Sequence, residues 1–137
     1  MNRIHEALAL VLISLALFAA PTLAADEPQV RQSGRVSYVS GGVSEEGRDQ
    51  ILSIGRDFNL KLVFATRSGA YLSGVAVAII DGRGQQLLDA KADGPLFYAK
   101  LPTGRYLIEA SASGVKLHES VDVAAQGQRT VNLRWND

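Results

Sequence analysis

The chain has 137 residues, 14 Lys and Arg against 14 Asp and Glu, and no cysteine. One domain is the expectation at this length. Disulfides, thiolate metal sites and cysteine nucleophiles are excluded, and the balanced charge without a basic block leaves no electrostatic footprint for nucleic acid or anionic lipid.

Residues 1–24 have the layout of a secretory signal peptide. Arg3 and His5 precede an apolar run from Ala7 to Ala20, Pro21 breaks it, and Thr22 and Ala24 supply the small residues signal peptidase accepts. That run is shorter than the about 20 residues a spanning helix needs, so no retained membrane span is expected. Cleavage falls after Ala24 or Ala25, and the mature chain is expected in the periplasm of a Gram-negative cell, or secreted. With no cysteine behind the signal, lipid attachment is ruled out.

Residues 25–34, "ADEPQVRQSG", lack periodicity and read as a flexible leader. Residues 35–58 read as a short strand plus a helix. "RVSYVSGG" alternates and ends at Gly41-Gly42, and Ser44–Phe58 is the one helical candidate. Ser44 suits the N-cap, Glu45 and Glu46 suit the first turn, and Ile51, Ile54 and Phe58 form a narrow apolar stripe. Gly47 and Gly55 each cost about 1 kcal/mol of helix propensity relative to Ala, so packing must hold this helix.

From Asn59 the period changes to two. Leu60, Leu62 and Phe64 share a face, as do Val75, Val77 and Ile79, and then Phe97, Ala99 and Leu101. Tyr106, Ile108 and Ala110 follow, then Val115, Leu117, Val121 and Val123, and finally Val131, Leu133 and Trp135. Glu119 interrupts the fifth of these faces, and a β-bulge is expected there because a lone buried carboxylate is costly. Short strands separated by turn signals predict an all-β fold: a seven-stranded antiparallel sandwich over 59–137, preceded by the short helix.

Within it, "VAVAIIDGRG", "DAKADG" and "LFYAKLPTGRYLIEASASG" occur in an order that resembles the carboxypeptidase regulatory-like, or transthyretin-like, domain family. The resemblance covers Gly74 to Leu133, and "LPTGRY" preceded by "DG" is its most specific part. The mature chain resembles small exported proteobacterial proteins carrying this domain alone. The resemblance implies an immunoglobulin-like or prealbumin-like sandwich acting as a folding aid, spacer or interaction module rather than as the catalytic unit. Pro102 and Gly104 read as the turn that delivers Tyr106 to a strand start, where its hydroxyl reaches backbone as in the tyrosine corner of sandwiches.

Reactive side chains are few. His118, the one histidine after the signal, shares a strand face with Ser120 without an oxyanion loop and reads as a solvated residue. Asp81 and Asp93 each precede glycine and read as turn residues, so neither catalysis nor a metal site nor a cofactor is expected. Two binding surfaces are expected instead. Leu87, Leu96 and Leu107 project from outer faces as a patch for a periplasmic or envelope protein partner, unless the helix covers them. Tyr71 and Tyr98 form the alternative, a platform for a glycan.

Overall fold

The computed structural model describes residues 27–137. The expected signal peptide and the beginning of the leader lie outside the described residues. Among the described residues the chain forms nine strands and one helix. The strands are β1 Arg31–Ser33, β2 Val36–Gly41, β3 Leu60–Thr66, β4 Ala76–Ile80 and β5 Gln86–Lys91, then β6 Leu96–Lys100, β7 Gly104–Ala112, β8 Val115–Val123 and β9 Arg129–Trp135. Helix α1, Glu45–Ile54, runs into a 3-10 turn at Gly55–Asp57. Two sheets result, one ordered β1-β2-β6-β3-β9 and the other β5-β4-β7-β8.

The all-β sandwich is present, with three departures from the expected layout. The helix interrupts the sandwich rather than preceding it, because β1 and β2 join the first sheet beside β6. Part of the expected leader is structured, since Gly34 at φ +58° turns β1 back onto β2. The pairing is not wholly antiparallel: β9 runs parallel to β3, from Leu60 opposite Arg129 to Thr66 opposite Trp135.

The two sheets enclose the main core. Leu60, Leu62, Phe64, Phe97 and Leu133 enter from one side and Val77, Ile79, Tyr106, Ile108 and Val121 from the other. A second, smaller core lies outside the first sheet, where α1 lays Ile51 over Val39, Leu96 and Tyr98, with Phe58 beside them. Burying Ile51 and Phe58 contributes about 1.5–3 kcal/mol each, which outweighs the about 1 kcal/mol that each helix glycine costs. The helix begins at Ser44, whose hydroxyl accepts from the Gly47 amide at 2.9 Å. Its far end is tied by Gln128, whose side-chain amide donates to the carbonyls of Gly55 (2.8 Å) and Phe58 (2.9 Å).

The bulge expected at Glu119 is absent. Glu119 pairs with Ile108 in an unbroken β7–β8 register, and no carboxylate is buried because β8 is exposed from Val115 through Ser120, apart from a half-buried Leu117. The register shift falls between Ile79 and Ile80 instead, leaving Leu87 as the extra residue of β5.

Candidate functional site

The "LPTGRY" segment closes one end of the sandwich. The Tyr106 hydroxyl donates to the Pro102 carbonyl at 2.6 Å, spanning the turn that Pro102 opens. Gly104 lies 3.7 Å from the Tyr106 ring, counted from where its Cβ would stand. Tyr106 is 5% exposed, so its ring belongs to the core while its hydroxyl closes the corner.

Facing this corner is the turn from β4 to β5. Asp81 Oδ1 accepts from the amides of Arg83 and Gln85, both at 2.9 Å, and Gly84 at φ +81° completes the turn. Oδ2 makes no hydrogen bond to the described residues. Burial, and after it the charge of Asp81, push the Tyr106 phenol above its ordinary value.

Between corner and turn opens a cleft of about 620 Å³. Val36, Leu87, Pro102 and Tyr106 supply its apolar surface, and Arg35 and Asp81 its charges. Among the described residues no serine, cysteine or histidine lines it, and its phenol is committed to a carbonyl. The arrangement suits recognition: an apolar group can fill the cleft while the carboxylate or guanidinium meets a polar one. A second cleft, about 570 Å³, lies where residues 27–29 meet Gly41 and Ser44. It holds the Arg31–Asp93 ion pair, at 3.5 Å.

The three expected leucines do not form one patch. Leu96 is 6% exposed, sealed under α1 with Ile51 and Tyr98. Leu107 lies on the other sheet, half-buried and opposite Ile80 on β4. Leu87 sits in the bulge of β5 and turns partly into the main core, so of the three only Leu87 reaches the cleft. The alternation assigns Leu96 and Leu107 to the faces they occupy but fails at Leu87, where the bulge intervenes, and it cannot show that a helix covers the face of Leu96.

The tyrosine platform is also not assembled. Tyr98 is 2% exposed, beneath Gly55 and beside Phe58 at 6.3 Å between ring centroids. Burial raises its phenol pKa. Tyr71 is 54% exposed, and the Arg48 guanidinium lies 5.0 Å from its ring centroid. That contact ties the loop after β3 to the helix.

His118 is paired across the ladder with Glu109, its Nε2 at 3.4 Å from Oε1, and Lys116 approaches the same carboxylate at 3.7 Å. Among the described residues no three His, Cys, Asp or Glu side chains gather as metal ligands, and no helix is long and apolar enough to cross a membrane.

Asn59 is a structural residue the sequence does not announce. It is buried, donates to the carbonyls of Leu101 (2.7 Å) and Ala124 (3.1 Å), and accepts from the Leu101 amide at 2.9 Å. Nothing separates such an asparagine from a loop residue in one sequence.

Comparison with models of known protein families and with curated protein sequences returns no match.

Proposed function

We propose that this is a non-catalytic exported module, periplasmic or secreted, that acts through contact with another protein. We assign it to the carboxypeptidase regulatory-like sandwiches, immunoglobulin-like or prealbumin-like in topology, on the "DG…LPTGRY" order of its sequence. The observation carrying the contact reading is the cleft beside Tyr106. Its apolar lining, with Arg35 and Asp81 at hand and no serine, cysteine or histidine among the described residues that line it, supports holding a side chain rather than transforming a substrate. The burial of Tyr98 removes one half of the glycan alternative's platform.

The test is crosslinking in intact cells with an epitope-tagged, normally exported copy, and mass spectrometry of the adducts. A Leu87→Asp variant, checked by circular dichroism, is the control. One dominant protein adduct that disappears in the folded variant supports the proposal. Recovery of peptidoglycan or polysaccharide alone, unaffected by the variant, favours a glycan ligand and ends it.

A further inference from the structure

The hairpin of β7 and β8 turns at Ser113-Gly114, both with positive φ (49° and 78°), a two-residue loop joining Ala112 to Val115. In such a hairpin the flanking pair is hydrogen-bonded. The amides and carbonyls of Val115, Leu117, Glu119, Val121 and Val123 therefore face β7. Those of Lys116, His118, Ser120 and Asp122 point away from it, at the edge of the second sheet, where among the described residues no further strand pairs with β8, and β9 touches it through the Trp135 indole, which donates to the Val115 carbonyl at 3.0 Å.

This edge is nearly self-complementary. In an antiparallel pairing with a second β8 that uses all four free positions, Lys116 meets Asp122 and His118 meets Ser120 on the outer face, although Asp122 is already paired with Arg105 (2.9 Å) and Lys116 with Glu109 (3.7 Å) within its own chain. On the inner face Val115 meets Val123 and Leu117 meets Val121. One pair opposes the union: Glu119 falls opposite Glu119 at a non-hydrogen-bonded position, where Cα atoms stand only about 4.5 Å apart. Glu119 is exposed on the core-facing side of β8 and has no ion-pair partner within 4.0 Å among the described residues. An inward-pointing charge on an edge strand prevents pairing with like copies.

We infer that the free edge of β8 is a strand-addition surface, closed to a second copy by Glu119 and fitted to an extended segment of a partner protein with a lysine or arginine facing that carboxylate. Main-chain hydrogen bonds from Lys116, His118, Ser120 and Asp122 supply the attachment, and Glu119 supplies the selection. The inference deepens the contact reading and rests on it, but its test does not involve the Tyr106 cleft.

The test makes the chain its own probe. Native protein and a Glu119→Lys variant are sedimented separately and as an equimolar mixture at low salt. Each alone is expected to be monomeric, and the mixture to form a one-to-one dimer with an affinity at least tenfold above either self-association. That dimer is expected to weaken with salt and to vanish when Ser120→Pro is present in both chains, since this proline removes an outward amide without touching the β7 ladder. If circular dichroism shows Glu119→Lys unfolded, a synthetic peptide of residues 115–123 with the same substitution replaces it. A mixture that stays monomeric overturns the inference, as does native self-association equal to the mixture or a dimer that survives Ser120→Pro. Failure here removes strand addition alone, whereas the contact reading falls only if cells yield no protein adduct.

Discussion

Gly55 stands against the face of Tyr98, and a Cβ at Gly55 would clash with the ring carbons Cε1, Cζ and Cδ1. Its backbone, at φ −66° and ψ −13°, is ordinary right-handed helix, so steric contact and not conformation demands glycine here. Alanine gains at most about 1 kcal/mol of propensity and forces the buried ring aside, an overpacking that costs about 1–3 kcal/mol. Gly55→Ala is therefore expected to lower stability in urea unfolding, against the helix scale. Adding Tyr98→Leu should make the two changes strongly non-additive, because the second vacates the space that the first needs.

Asn59 joins the end of the helical segment to β6 and to the β8–β9 connection. Asn59→Ala leaves the Leu101 amide and carbonyl and the Ala124 carbonyl without this partner. A buried polar group left unsatisfied costs about 1–3 kcal/mol, and Asn59→Ala should reach the upper end of that range. Asn59→Asp keeps the acceptor for Leu101 and loses both donations, so it should fall no less. Denaturant midpoints of the two variants at unchanged slope are the measurement.

Much of the sandwich was legible because alternation is imposed by having one face in and one out. Val75, Val77 and Ile79 enter the core, as do Val131, Leu133 and Trp135, and the Ile51–Ile54–Phe58 stripe is the face that α1 lays down. What alternation cannot express is a strand covered on both sides. β6 buries Phe97 and Ala99 toward the second sheet and Leu96 and Tyr98 toward the helix, so its period-two pattern gave a wet face that does not exist. A bulge hides for a similar reason: Leu87 is the one residue that steps out of register, and only pairing reveals it. The parallel contact of β3 with β9 joins segments nearly 70 residues apart, and no local pattern encodes it. The Tyr106 corner was legible because its chemistry is local, with Pro102, Gly104 and Tyr106 falling within five residues.

The two buried phenols set an alkaline limit. Burial raises both Tyr98 and Tyr106 above the ordinary value of 10.0, and Asp81 adds to the effect at Tyr106. A raised folded pKa means that the native state holds its proton where the unfolded chain has released it. This contribution to stability is complete below pH 10 and is lost as pH rises through the folded values. Unfolding free energy should decline from about pH 10 upward. Tyr106→Phe should flatten part of that decline, while costing about 0.5–1.5 kcal/mol at neutral pH for the lost bond to Pro102. Urea unfolding at several pH values, with phenolate absorbance followed in parallel, separates the two effects.

Leu96 and Leu107 look alike in sequence and should differ several-fold in what a charge costs them. Leu96→Asp places a carboxylate beneath α1 among Ile51, Val39 and Tyr98. An uncompensated buried charge costs several kcal/mol, enough to detach the helix or unfold a domain of ordinary stability. Leu107→Asp stands half-buried on an outer face, opposite Ser120 on β8 and Ile80 on β4, where solvent reaches it, and should cost about 1 kcal/mol. Thermal unfolding of the single variants decides the matter. A folded Leu96→Asp, with α1 intact by amide exchange, would mean that the helix does not seal this sheet and that its outer face is open to a partner after all.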